Sequence, residues 1–206
     1  MKVESLTVGP LQTNCYLLIK DKSTLIIDPG DEGERISQFI RHYSLTPSLI
    51  LATHGHLDHV NGVRKIQETF PLPFYLHSQD IPLLGVGKDT WGDLFLDNID
   101  VPSPTKFIDD LDSIEWEDET IEIIHTPGHS PGSVTLRVGN FLFTGDTLFQ
   151  GSVGRWDLPG GDEVTLQQSL KKLSALPDEL LVFPGHGQTS SLQKEKQTNP
   201  FLLSLS

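Results

Sequence analysis

Cysteine is nearly missing from this chain. Cys15 is the only one in 206 residues, which excludes an internal disulfide and any zinc site built from several thiolates. Basic residues are also scarce: 15 lysines and arginines stand against 28 aspartates and glutamates, a formal net charge of −13. No lysine or arginine run could neutralise a row of phosphates, which argues against a nucleic-acid partner. No apolar run approaches membrane-spanning length, and the Met1-Lys-Val-Glu-Ser5 start lacks the apolar core of a signal peptide. A cytoplasmic protein with no membrane partner is therefore expected. The length suits one sizeable core and is short for two, so residues 1–206 are read as a single domain. Internal repeats and low-complexity segments are absent, and nothing in the sequence fixes an oligomeric state. Cys15, within Thr13-Asn-Cys-Tyr-Leu-Leu-Ile19, reads as a buried strand thiol.

What the chain does have is histidine concentrated in one place. Three of its eight histidines fall in Thr53-His54-Gly55-His56-Leu57-Asp58-His59, and imidazole and carboxylate are the ligand types that suit zinc, iron and manganese. A lone histidine is more often a core or surface residue than a ligand, and tag tracts are also histidine-rich. This cluster is internal, follows the apolar run Pro47-Ser-Leu-Ile-Leu-Ala52, and carries an acid in a fixed slot. Beyond it, Val60, Val63, Ile66 and Phe70 recur at helical spacing, which places the motif on a strand-to-helix loop. His54 and His56 can converge on one ion from a turn, while Asp58 and His59 point onward to a second. Two adjacent ion sites are implied.

Residues 3–9, 13–19 and 24–27 read as three short strands with turns at Gly9-Pro10 and Asp21-Lys22. The third ends at Asp28-Pro29-Gly30, and Asp28 is assigned an outer role, orienting a ligating histidine through a hydrogen bond. Ile36, Phe39, Ile40 and Tyr43 keep the spacing of an amphipathic helix, with His42 exposed beside the stripe. Pro73-Phe-Tyr-Leu-His77 gives a further strand, and His77 at its end is a weaker site candidate. From Gly85 to Thr105 the pattern dissolves into a long loop holding Trp91, Leu94, Phe95 and Leu96, a lid or subunit contact and the seam between two halves.

In the second half three more strands end in potential ligands. Thr120–Ile124 runs into His125-Thr-Pro-Gly-His129, Asn140–Thr144 into Gly145-Asp146, and Glu179–Phe183 into Pro184-Gly-His186. Taken singly, His129, Asp146 and His186 could be structural; alongside residues 54–59 they are read as ligands, with His125 hydrogen-bonding nearby instead. Arg155 is the candidate cation for an anionic substrate in an acidic protein, with Trp156 as an apolar wall; a salt bridge from Arg155 to Asp157 or Asp162 is the competing reading. Leu166, Leu170 and Leu173 mark a helix that Asp162 caps.

Gly9-Pro-Leu-Gln-Thr-Asn-Cys-Tyr16, Asp28-Pro-Gly30, Thr53 to His59, Thr126-Pro-Gly-His129, Phe143-Thr-Gly-Asp146 and Pro184-Gly-His186, in this order, resemble the metallo-β-lactamase fold superfamily. Within it they resemble the hydroxyacylglutathione hydrolase (glyoxalase II) group, in its short single-domain form. The resemblance implies a four-layer αββα sandwich, two mixed β-sheets face to face with helices outside. It implies one metal on His54, His56 and His129, another on Asp58, His59 and His186, and Asp146 bridging them. Longer glyoxalase II enzymes carry a helical C-terminal domain that helps hold glutathione; here 20 residues follow His186, including Glu195 and Thr198-Asn-Pro-Phe-Leu202. A lysine occupies the position similar to Arg155 in those enzymes.

Two divalent ions, zinc first with iron or manganese as alternatives, would lower the pKa of a shared water to about 7 and polarise a carbonyl. Asp58 would orient and deprotonate that water. A thioester such as S-lactoylglutathione suits the site, because a thiolate of pKa near 8.5 departs with little protonation. The expected activity is thus a metal-dependent thioester hydrolase with a small-molecule substrate, acting through a hydroxide between the ions. Persulfide dioxygenase, with a single iron, resembles the same motifs and shares the pattern Gly154-Arg-Trp-Asp157; Ser130-Pro-Gly-Ser133 and Leu158-Pro-Gly-Gly161 favour the short hydrolases. A metal-stabilised binding module without catalysis would need closed coordination, whereas seven protein ligands on two ions leave positions open. The absent export signal disfavours β-lactamase, and the acidic surface disfavours the nuclease and tRNA-processing branches.

Overall fold

Residues 1–89, 99–109 and 113–205 are described by the computed structural model. They divide into two units, Met1–Ile108 and Asp109–Ser206. In the first, β1 (Lys2–Val8), β2 (Thr13–Lys20) and β3 (Ser23–Ile27) form an antiparallel meander. Its turns include Gly9 and Asp21 at φ of 66° and 55°. Glycine takes such a φ freely and aspartate tolerates it. Helix α1 (Gly33–His42) then carries the chain back, so β4 (Thr46–Leu51), β5 (Phe74–Leu76) and β6 (Lys106–Phe107) add in parallel and complete a six-stranded sheet. A parallel neighbour requires a crossover of this kind.

Ile36 and Ile40 of α1 are buried with Leu17, Ile26, Ile50 and Phe74 in one apolar cluster. Tyr43 departs from the expected stripe: it is 58% exposed, because the helix ends at His42 and Tyr43 is its C-cap, with its ring 4.6 Å from that of Phe39. Cys15 is fully buried, and burial pushes its thiol far above the ordinary range. The helix expected after the histidine loop is two pieces, α2 (Leu57–Val60) and α3 (Val63–Thr69). The chain breaks at Asn61–Gly62, where the Gly62 N–H leaves the helical pattern to donate to Pro29 O at 2.9 Å. A 3₁₀ helix over Ser78–Asp89 runs past Gly85, where a loop was expected. Trp91, Leu94, Phe95 and Leu96 lie outside the described residues; Ile99 and Val101 pack on the first unit's core.

In the second unit β7 (Ser113–Trp116), β8 (Glu119–His125), β9 (Val134–Val138) and β10 (Phe141–Gly145) form an antiparallel meander. A small hairpin follows, β11 (Leu148–Phe149) and β12 (Ser152–Val153), and then α4 (Glu163–Ser174). This helix crossover sets β13 (Leu181–Pro184) parallel to β10, and β14 (Ser190–Ser191) closes the second six-stranded sheet. The chain ends in α5 (Leu192–Thr198) and α6 (Pro200–Leu203). Asp162 Oδ1 accepts the Thr165 N–H at 2.7 Å, the N-cap expected from sequence. Leu166, Leu170 and Leu173 bury against Leu142, Leu180, Val182 and Leu192. Among the described residues no helix is long and apolar enough to cross a membrane.

Leu173 is fully buried while Val164, on the same helix, is 62% exposed. Leu173→Ala should therefore cost about 2–5 kcal/mol in urea denaturation, and Val164→Ala should stay within about 0.5 kcal/mol. Equal losses would contradict the assigned face of α4.

Candidate metal centre

β3 and β4 are parallel neighbours, so the loops beyond their C-terminal ends lie side by side, where open α/β sheets build sites. One delivers Asp28 and the other Thr53 and His54. The Asp28 backbone sits at φ 51°, and its buried carboxylate collects three donors. These are the Thr53 N–H at 2.7 Å, the Thr53 hydroxyl at 2.7 Å and His59 Nδ1 at 3.0 Å. A carboxylate accepts, so His59 carries its proton on Nδ1 and keeps a lone pair on Nε2. That Nε2 lies 3.6 Å from Asp58 Oδ2. The His54 ring centroid is 4.8 Å from that of His56 and 4.1 Å from that of His59, so His54, His56, Asp58 and His59 form one group. A Cβ on Gly30 would fall 1.5 Å from the Asp58 carbonyl oxygen; only glycine permits this approach.

The second unit gathers His129, Asp146 and His186 in the same manner. β10 and β13 run parallel, and the Gly185 N–H donates to Gly145 O at 2.8 Å, which sets Asp146 beside His186. Asp146 Oδ2 is 3.5 Å from His186 Nε2 and 3.6 Å from His129 Nε2. His129 Nδ1 donates to the carbonyl of Arg155 at 2.7 Å, which again leaves the Nε2 lone pair toward the carboxylate. A Cβ on Gly154 would lie 1.7 Å from Asp146 O and 3.2 Å from His129 Nδ1, so the chain before Arg155 is pressed against both residues.

These contacts test whether a metal suits the residues. The Nε2 lone pairs of His59 and His129 face carboxylate oxygens at 3.6 Å, acceptor toward acceptor and beyond the usual hydrogen-bond range of about 2.7–3.2 Å. Two ligands on one tetrahedral ion with bonds of about 2.1 Å stand roughly 3.4 Å apart. Imidazole and carboxylate are also the donors that divalent transition metals take. The donor set fits such an ion and could hold one.

The other sequence candidates fall elsewhere. His125 Nε2 donates to Pro131 O at 3.0 Å, the local bond expected of it. His77 Nδ1 accepts the Gln79 N–H at 3.3 Å and closes a turn. Arg155 binds Asp157 through Nε at 2.9 Å and Nη2 at 3.0 Å. Their hydrogen bond holds the Asp157 carboxyl below its ordinary range and the guanidinium above its own. Both side chains are about two-thirds exposed. The half-buried Trp156 packs on the second unit's core, its ring 6.2 Å from Phe201.

Sequence reading missed two residues that touch the histidine loop. Thr13 donates its hydroxyl to Asp58 Oδ2 at 3.0 Å, and fully buried Asp80 accepts the Gly55 N–H at 2.9 Å. Asp80 had one available signal: it follows β5, the parallel neighbour of β4, so its loop borders the histidine loop. Thr13 had none, since its partner is 45 positions away.

A mixed α/β fold with two sheets, several helices and histidine–aspartate groups at strand ends defines a metallo-hydrolase class of protein. Residues 8–186 match the family model described as the metallo-beta-lactamase superfamily, and the chain belongs to that superfamily. A probable metallo-hydrolase of Bacillus subtilis, YqgX, is 41% identical over 98% of this chain and 98% of its own length. The hydroxyacylglutathione hydrolase GloC of Haemophilus influenzae is 37% identical over the whole of both chains. Among solved structures, BLEG-1, a B3 metallo-beta-lactamase, superposes with a TM-score of 0.90 at 36% identity, over 98% of this chain and 99% of that one. TTHA1623 in a di-iron-bound form gives 0.88 at 41% identity, over 97% and 100%. The fold is thus the mixed metallo-β-lactamase fold, and its members are mostly metal-dependent hydrolases.

The 1.7 Å approach at Gly154 is to backbone, which no rotamer change relieves. Gly154→Ala should lower stability by at least about 1–3 kcal/mol, read as a fall in melting temperature. A wild-type melting temperature would show that the segment before Arg155 does not press on Asp146.

Proposed function

We propose that this protein is a dinuclear-metal thioester hydrolase acting on S-lactoylglutathione-like substrates. In this reading His54, His56 and His129 would hold one ion, Asp58, His59 and His186 would hold the other, and Asp146 would be available to both. Asp28 orients His59, and Arg155 meets the anionic end of the substrate. The observation that carries the proposal is the pair of Nδ1-anchored imidazoles, His59 on Asp28 and His129 on the Arg155 carbonyl, each with its lone-pair nitrogen toward a carboxylate. The similarity to a hydroxyacylglutathione hydrolase supports the substrate class, and the di-iron form of a 41% identical protein supports two ions without fixing zinc over iron.

When bound, two divalent ions lower the pKa of water to about 7 and polarise the carbonyl under attack. Asp58, fixed by the Thr13 hydroxyl, orients the attacking water and takes its proton. Water oxygen bonds to the carbonyl carbon, the carbon–sulfur bond breaks, and the thiolate leaves with little need of a general acid. Repulsion from the net charge of −13 is largely screened beyond the Debye length of roughly 8 Å, so the charges close to the site decide whether an anionic thioester is accepted, and a nearby cation favours it. Arg155 can exchange Asp157 for a substrate carboxylate, because an exposed ion pair is weak and open to solvent. Trp156 offers its exposed part as an apolar neighbour of that cation.

Metal-loaded protein should hydrolyse S-lactoylglutathione, and Asp58→Asn should lose most kcat even where metal is retained; wild-type turnover in that variant would remove Asp58 from its role. Arg155→Gln should lower kcat/KM for glutathione thioesters about tenfold while leaving a small neutral thioester nearly unchanged. Equal loss on both, with a lower melting temperature, would make Arg155 a structural partner of Asp157. A chromogenic β-lactam belongs in the same assay, given the similarity to BLEG-1: β-lactam turnover without thioester turnover would overturn the proposed substrate class.

A further inference from the structure

Glu195, in α5, is a carboxylate with no accessible surface, and nothing in the proposed chemistry uses it. Its Oε2 accepts the Gly151 N–H at 2.7 Å and Asn199 Nδ2 at 3.0 Å, and its Oε1 accepts a short hydrogen bond from the Ser190 hydroxyl. Asn199, equally buried, donates from Nδ2 to Phe149 O at 3.3 Å and to Ser152 O at 3.0 Å, while its Oδ1 accepts the Phe201 N–H at 3.0 Å. Together the two side chains seize the β11–β12 hairpin from inside, at both of its strands and at its tip. Burying a carboxylate costs several kcal/mol unless donors surround it, so so complete a satisfaction specifies one position for the hairpin.

That hairpin leads directly into the metal centre. Three residues past Gly151 comes Gly154, against Asp146 O and His129 Nδ1, and next is the Arg155 carbonyl that accepts from His129 Nδ1. Phe149, whose carbonyl Asn199 holds, has its ring 6.1 Å from His186 and nearly perpendicular to it. We infer that Glu195 and Asn199 are positioning residues: the C-terminal helix holds the 149–155 segment so that it fixes the tautomer and direction of His129. The inference rests on the metal reading of this site. Its physical basis is that outer partners of a metal-ligating histidine set its affinity, with losses of about 10–100-fold when they go.

The test compares Glu195→Met with Glu195→Gln and with Leu173→Ala, a core variant of the same unit that lowers stability while removing none of the hydrogen bonds from Glu195 and Asn199 to the hairpin. Glutamine can accept from Gly151 and Asn199 through its oxygen and donate to Ser190 through its amide, so it should behave within about twofold of wild type. Well below the melting temperature of each protein, Glu195→Met should lose metal to a chelator about tenfold faster than wild type, and Leu173→Ala should not. In the metal-free proteins, the His129 Nδ1–H proton, assigned by its absence in His129→Gln, should be visible by NMR in wild type and Glu195→Gln and lost in Glu195→Met. Wild-type metal retention and an intact His129 signal in folded Glu195→Met would overturn the inference, as would equal metal loss from Leu173→Ala. A wild-type protein that binds no metal would overturn the metal reading instead, and the His129 signal would still decide the positioning role.

Discussion

The structure depends on a local electrostatic constraint: in each unit, lone-pair nitrogens of buried imidazoles are turned toward carboxylate oxygens. Such groups repel unless a proton or a cation lies between them, and burial strengthens that repulsion. The protons are already committed on the far side of the rings, to Asp28 and to the Arg155 carbonyl. A divalent cation would resolve the arrangement. Much of the nearby structure holds it in place: Asp28 at positive φ with three donors, the glycines at 30 and 154 that let backbone approach, and the parallel strand pairs whose ends stand side by side.

The same constraint explains which parts were legible in the sequence. The ligand loops each follow a short apolar run and contain a glycine, a pattern that needs no tertiary information, and the strands predicted around residues 13–19, 24–27 and 140–144 match β2, β3 and β10 within a residue or two. Asp28 could be singled out for the same reason, as an acid at a buried strand tip. Residues whose importance comes from a distant contact were not legible. Thr13, Asp80 and Glu195 meet their partners across 45, 25 and 44 positions, and no local spacing encodes that. Tyr43 and the break at Asn61–Gly62 were misread because helical periodicity carries no information about where tertiary hydrogen bonds stop a helix.

On the proposed thioester-hydrolase reading, a protein of net charge −13 would draw in an anionic substrate with local features, and the loop holding Arg155 also supplies the carbonyl that anchors His129. Substrate end and metal end therefore share one segment. The last helices hydrogen-bond to the hairpin before that segment through Glu195 and Asn199.

The most direct measurement is the metal content of the purified protein by elemental analysis, after removal of loosely bound ions. The account predicts close to two transition-metal ions per chain, whether zinc, iron or manganese. A reproducible value of one, all iron, with oxygen consumed on adding glutathione persulfide, would contradict the dinuclear hydrolase and indicate a dioxygenase; a value near zero after metal supplementation would contradict the metal centre itself.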